Sequence, residues 1–378
     1  MTSDSATAAP LPSSIRPFGW STGRRPLQRL PTYHHRVMTI LGLWGAAVSA
    51  GAGSSLGRRR HRLQRSLTVA VALIAGGTVV FAVGGGAEAA SAAGRVPKSL
   101  VSKSYVALGD SFTSGPAVPA QLGPNTNPSA PKACLRSSDN YPSLAARALG
   151  LVLTDASCGG ATSEDLTRSQ GPGIPAQLSA ISSSTSLVSM GIGGNDLGFS
   201  TIAANCVAAT PWGPTRMGWS CRSHYTAGGT DRLAVNVHEV GSKVSAVLKE
   251  IRARSPHARV FVVGYPDIVP PIGSGCWPRL PFSAHDLGYL RGVEEDLNAT
   301  LAEDATAAGD VYVDMASPSA SHNACTSEDT RWVESIVPSP AGYPLHPSAA
   351  GMAGMALVLE GVLRPVEGIR SNRTVSTR

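Results

Sequence analysis

The sequence contains neither a C-x-x-C pair nor an H-E-x-x-H segment, which removes the usual spacings of a zinc site. It contains no repeat of solenoid or propeller period and no long low-complexity linker after residue 100, so its 378 residues are not an array of small modules. Charged residues are scarce, at 15% against 42% hydrophobic. That balance is not the balance of a disordered, collagen-like or polytopic membrane protein. Acidic residues are nearly missing from the first quarter. Residues 1–89 hold 2 of the 25 Asp and Glu but 10 of the 32 Lys and Arg, a net of +8, which leaves −1 on residues 90–378. The overall +7 therefore resides in one segment, and it gives no case for a nucleic-acid partner of the rest.

That basic first quarter has an internal order. Residues 1–65 are a Pro-, Ser-, Thr- and Arg-rich extension that reads as disordered, interrupted by a short Gly- and Ala-rich apolar run from Met38 to Gly53. The cluster Arg58-Arg59-Arg60-His61-Arg62 closes it. An uncharged apolar stretch follows from Ser66 to Gly86, then Ala87-Glu88-Ala89-Ala90-Ser91-Ala92. Basic, then apolar, then small residues is the order of a secretory signal, here spanning 66–92 with cleavage after Ala89 or Ala92. The positive cluster stays on the cytoplasmic side. An uncleaved anchor is the alternative, although five glycines weaken the run as a span. The segment places the rest of the protein outside the cell and confines membrane contact to the signal or anchor. Residues 366–378 read as a tail.

All six cysteines, Cys134, Cys158, Cys206, Cys221, Cys276 and Cys325, lie beyond the signal. In an exported chain an even number implies disulfides. Fifteen connectivities are open. Sequential pairing, Cys134–Cys158, Cys206–Cys221 and Cys276–Cys325, is one of them.

Between residues 100 and 365, five short apolar runs alternate with helical patterns. The runs are Tyr105–Leu108, Leu151–Thr154, Ser186–Met190, Arg259–Val263 and Val311–Asp314, each read as a strand buried on both faces. The helices are Asn140–Leu149, Asp231–Arg254, Ser283–Ala308 and Pro347–Leu363. Strands and helices in this alternation predict one α/β domain, a three-layer α/β/α sandwich with a central parallel sheet of about five strands. Ligands bind such sheets beyond the carboxyl ends of the strands. Those ends carry Gly109-Asp110-Ser111, Cys158-Gly159-Gly160 and Gly193-Gly194-Asn195-Asp196, and His346-Pro347 precedes the last helix.

Taken together and in this order, the four blocks resemble the SGNH (GDSL-type) hydrolase superfamily, over about residues 102–364. The cysteine pattern and Gly264-Tyr265-Pro266-Asp267 look like its secreted actinobacterial esterase and lipase branch. The resemblance implies a flavodoxin-like sheet and hydrolysis of carboxylic esters, without metal or cofactor, by a monomer. Phospholipase A-type or carbohydrate-deacetylating activity, or a binding module that kept only the fold, are the alternatives. The chemistry fits the residues. A serine hydroxyl attacks only when a base takes its proton, which casts Ser111 as nucleophile and His346 as base. If Pro347 opens the last helix, the positive helix end keeps His346 neutral. The charge that develops on the ester oxygen needs fixed donors, for which the candidates are the Ser111 and Gly160 N–H groups and the Asn195 side-chain amide. Gly159 competes with Gly160, and alignment through the Cys-Gly-Gly block favours Gly160. Asp110 and Asp196 read as turn-holders.

One family feature is absent. The Asp expected three residues before the histidine is Tyr343 here, and no carboxylate lies between Glu334 and His346. The backbone carbonyl of Tyr343 is therefore the first candidate for orienting the imidazole, ahead of a distant carboxylate such as Asp314 or Glu334. Trp212, Trp219, Trp277 and Trp332 sit in loop-like stretches and read as packing under disulfides before they read as an acyl pocket. No long amphipathic lid is visible, which favours soluble substrates.

Overall fold

The computed structural model of the chain describes residues 103–123, 131–271, 275–336 and 342–367. The expected N-terminal extension, the apolar signal region and the tail beyond Glu367 lie outside the described residues. Five strands, β1 (Ser104–Gly109), β2 (Val152–Asp155), β3 (Leu187–Gly191), β4 (Arg259–Val263) and β5 (Val311–Val313), form one parallel sheet in the order β2-β1-β3-β4-β5. The helices used below are α1 (Ser111–Ser114), α2 (Tyr141–Leu149), α3 (Gly194–Leu197), α4 (Phe199–Cys206), α5 (Arg232–Arg254), α6 (Ala284–Ala307) and α7 (Ala349–Glu367).

The strand alternation that marks one side chain up and the next down divides the core into two layers. Val106, Leu108, Val188, Met190, Val260 and Val262 pack with α5 and α6 on one face. Tyr105, Ala107, Leu187, Phe261, Val263 and Val313 pack with α2 and α7 on the other. Helix α5 buries Leu233, Val237, Val240, Val244, Val247 and Ile251, the stripe its sequence spacing predicts. Its start is set by Asp231, whose carboxylate accepts the N–H groups of Leu233 and Ala234. Asn140 and Ser283 cap α2 and α6 in the same way. On α7, Gly351 and Gly354 let Trp332 lie against the helix; a Cβ on Gly354 would sit 2.2 Å from the indole.

Two expectations need correction. The second strand is an edge: Val152 is 58% exposed and Thr154 also faces solvent. Its apolar run does not mean burial on both faces, because a parallel edge strand has a neighbour on only one side. The last helix begins at Ala349 and not at Pro347. Ser348 caps it by accepting the Gly351 N–H at 3.0 Å, and Pro347 instead bridges to Val333.

The three disulfides are Cys134–Cys158, Cys206–Cys221 and Cys276–Cys325, the sequential set. Among the described residues no helix is long and apolar enough to cross a membrane.

Candidate active site

The chain runs from β1 outward to β2 and then returns to place β3 on the other side of β1, so the loops after β1 and β3 diverge and leave a crevice between them. Register sets their relative height. Gly109 pairs with Gly191, and the Asp110 N–H donates to the Gly191 carbonyl at 3.1 Å. The Gly-Asp-Ser and Gly-Gly-Asn blocks therefore leave the sheet at the same level. Asp110 caps the one-turn helix α1 by accepting the Phe112 N–H at 2.8 Å, and Ser111 opens that turn.

Ser111 Oγ lies 2.8 Å from His346 Nε2. The imidazole's other nitrogen, Nδ1, lies 2.8 Å from the carbonyl oxygen of Pro344. The expectation that Tyr343 supplies this carbonyl is therefore corrected by one residue. Tyr343 to His346 form a turn in which the His346 N–H donates to the Tyr343 carbonyl at 3.0 Å, while Leu345 adopts φ 58°. Proline second and a left-handed third residue mark a type II turn, whose central peptide is flipped relative to the more common type I. The flip turns the Pro344 carbonyl to the ring and commits that of Tyr343 to closing the turn. A left-handed leucine costs about 1 kcal/mol. It is held there by burial and by backbone bonds on both sides, Leu345 N–H to Glu334 carbonyl (3.1 Å) and Glu334 N–H to His346 carbonyl (2.9 Å).

The two carboxylates considered as alternatives are engaged elsewhere. Asp314 accepts the N–H groups of Ala316 and Ser317, and Glu334 pairs with Arg331 at 2.5 Å. His346 is packed among Phe112, Phe199 and Tyr343, with ring centroids 5.0–6.0 Å away. Burial lowers its pKa from 6.5 to about 4, and the Pro344 acceptor opposes this only in part. The neutral base expected from the sequence is thus obtained mainly by desolvation. The helix end lies farther off than predicted, because α7 starts beyond Ser348.

The loop that carries Gly160 is tied to the end of β1, where the Cys158 N–H donates to the Gly109 carbonyl at 3.0 Å. Gly159 donates its N–H to the Cys134 carbonyl at 2.8 Å, whereas no acceptor among the described residues takes the N–H of Gly160 or of Ser111. Gly160 is exposed and adopts φ 76°, a conformation that disfavours any side chain. The Asn195 amide is oriented by a 2.9 Å bond to the Ala161 carbonyl, and Asn195 lines the same pocket as Ser111. Asp196 accepts both the N–H and the hydroxyl of Ser163 at 2.8 and 2.7 Å, and Lys243 stands 3.4 Å away, which is the turn-holding arrangement expected of it.

Several contributors escape sequence reasoning. The Tyr265 hydroxyl donates to the Asp110 carboxylate at 2.5 Å and accepts the Gly194 N–H at 2.8 Å, so one side chain ties the β1 loop to the β3 loop. Gln177 grips Gly109 through both its N–H and its carbonyl. The pocket beside Ser111 is walled by Phe112, Phe199, Ile202, Phe282, Val293 and Leu297 among others, and by none of the tryptophans. Phe112 and Phe199 adjoin the Ser and Asn blocks in sequence, a signal that was available. Tyr265 and Gln177 come from remote segments and carry no local mark. Glu294 also lines the pocket; its carboxylate accepts the Ile268 N–H at 2.7 Å, and burial raises its pKa to about 8. Among the described residues no group of three His, Cys, Asp or Glu gathers as a metal site.

Similarity to known proteins agrees with this geometry. Residues 107–353 match the GDSL-like lipase/acylhydrolase family. The chain is 34% identical over 302 residues to Lipase 2 of Streptomyces coelicolor, across 78% of this chain and 95% of that one. It is 30% identical over 283 residues to Lipase 1 of the same organism, across 73% and 93%. Among solved structures, phospholipase A1 from Streptomyces albidoflavus superposes with a TM-score of 0.55 at 28% identity, over 69% of this chain and 99% of that one. The extracellular lipase of Streptomyces rimosus superposes with a TM-score of 0.51 at 26% identity, over 69% and 99%. By the match over residues 107–353 and the likeness to Lipase 2, the chain belongs to the GDSL-like lipase/acylhydrolase family.

Proposed function

We propose that the protein is an exported serine hydrolase that cleaves carboxylic esters of acyl lipids through a Ser111 acyl-enzyme. The observation that carries this reading is the chain of two 2.8 Å contacts from Ser111 Oγ to His346 and from His346 to the Pro344 carbonyl. A carbonyl only accepts, so Nδ1 must carry the ring proton and Nε2 must present its lone pair to the serine. As Oγ attacks the ester carbon, its proton passes to Nε2. The oxyanion is received by the N–H groups of Ser111 and Gly160 and by the Asn195 amide. The imidazolium then gives its proton to the leaving alkoxide. A water attacks the acyl-enzyme with His346 again as base, and the free acid leaves. The Pro344 carbonyl fixes the tautomer and stabilises the imidazolium through its dipole, less strongly than a carboxylate does. The apolar pocket beside Ser111 suits the acyl portion. The lipases and the phospholipase A1 named above support acyl lipids as the substrate class.

Export is supported by the basic-apolar-small order of residues 58–92, by three disulfides and by likeness to an extracellular lipase. Ser111→Ala is expected to lower kcat on nitrophenyl esters by roughly 10⁴-fold or more and to abolish labelling by a fluorophosphonate. Labelling that survives in Ser111→Ala would remove Ser111 as nucleophile. Amino-terminal sequencing of protein from the culture medium tests export, and an intact Arg58 there would contradict cleavage at 89 or 92.

A further inference from the structure

Large apolar side chains are exposed on the loop between the two halves of one disulfide. Cys206–Cys221 closes the loop Val207–Ser220, on which Trp212 is 62% and Met217 47% exposed. The adjoining segment Gly275–Ser283 follows the same pattern, with Trp277 38% exposed next to Cys276. These two segments together contain no carboxylate; their charged residues are Arg216 and Arg279, both exposed.

The exposure is not that of a slack loop. The Ala208 N–H donates to the Pro281 carbonyl (2.7 Å), the Arg216 N–H to that of Val207 (2.8 Å) and the Ala284 N–H to that of Pro211 (2.9 Å), while Val207 bridges to Phe282. The same elements wall the acyl pocket: Phe199, Ile202 and Ala203 on α4, the helix that ends at Cys206, and Phe282 in the second segment. A platform with exposed apolar rings, cationic and free of carboxylates, is thus built as the outer continuation of the pocket wall.

We propose that the Val207–Ser220 loop, with Trp212 and Met217 at its surface, is the site at which the enzyme docks on a lipid–water interface and takes acyl chains from aggregated lipid. This rests on the ester-hydrolase reading above and narrows it to lipid assemblies. Indole and thioether side chains gain by leaving water for the boundary between headgroups and acyl chains, and nearby arginines gain from lipid phosphates. A fixed platform provides both at once, and it runs against the expectation of soluble substrates drawn from the missing lid.

Vesicles of ether-linked phosphatidylcholine and phosphatidylglycerol with brominated alkyl chains cannot be cleaved by an esterase and quench tryptophans that enter them. Wild-type and Trp212→Phe chains, prepared identically, give a difference emission that reports on Trp212 alone. That difference signal is expected to be quenched and blue-shifted when vesicles are added. The double variant Trp212→Ser/Met217→Ser is expected to lose about tenfold in rate on emulsified long-chain esters, while its kcat/KM on a dissolved acetate ester stays within about twofold of wild type. An unquenched Trp212, or equal loss on both substrates, would overturn the proposal. So would a Trp212 signal that shifts with protein concentration in the absence of vesicles, because the face would then join two copies of the chain. If the wild type hydrolyses no ester at all, the catalytic reading fails while the quenching measurement still stands.

Discussion

The two sides of the candidate site are built by different means. The Ser111 side, that of the proposed nucleophile, comes from the ends of β1 and β3, where sheet register sets height and a cap, a tyrosine and a glutamine hold the loops. The histidine side comes from a loop with no strand beneath it, shaped by one type II turn and by backbone bonds to Glu334. On the first side a side chain's position follows from where its strand ends. On the second it depends on which way a single peptide faces. Geometry inherited from a sheet is tolerant of sequence, whereas geometry held in a turn depends on the turn.

This contrast can be tested by substitutions on each side. The largest effect belongs to the nucleophile side. Asn195→Ala should lower kcat by roughly 10²–10³-fold with KM little changed, since the amide stabilises charge that exists only in the transition state. A loss confined to KM would assign Asn195 to substrate binding instead. The pH profile comes next. His346 has a lowered pKa, so catalysis is present above it and is lost as pH falls through about 4. A histidine at its ordinary value would lose about thirtyfold in kcat/KM by pH 5; this enzyme should keep most of its rate there. An acid limb centred near 6.5 would mean that His346 is solvated in the working enzyme. Pro344→Ala keeps the carbonyl and removes only the ring that favours the turn, so kcat should fall several-fold at most, with Tm slightly lower. A loss as deep as that of Asn195→Ala would show that the turn cannot form without proline. The smallest effect is expected for Asp314→Asn, with kcat within about twofold of wild type, because that carboxylate caps residues 316 and 317 and does not meet the ring. A collapse of kcat in this variant would restore a carboxylate to the third position.

The same contrast explains what the sequence made legible. Ser111, Gly160 and Asn195 could be placed because short apolar runs ending in glycine announce strand ends, and parallel sheets collect ligands there. The cysteine pairs came out sequential. The preference for Gly160 over Gly159 agrees with a bond that no sequence displays, the one from the Gly159 N–H to the Cys134 carbonyl. The sequence points to the Tyr343 carbonyl, one residue before the one that meets the His346 ring. Counting back from His346 finds a position, but only the φ of Leu345 decides which carbonyl turns inward, and leucine is not a residue that advertises a left-handed conformation. The apolar run Leu151–Thr154 reads as buried on both faces, yet edge and centre differ in their neighbours and not in their own residues. Tyr265 reaches Asp110 across 155 residues of sequence, a contact that only the assembled sheet creates.

The contact between His346 and Pro344 has a consequence for mutability. Every amino acid carries a main-chain carbonyl, so no missense change can delete the acceptor that orients the base. A carboxylate in that role is lost through one codon. On the proposed mechanism, the group that positions His346 is thereby protected against point mutation. The same feature limits adjustment: the acceptor's charge and reach are fixed, and the base can be retuned only by reshaping the turn or its aromatic surroundings.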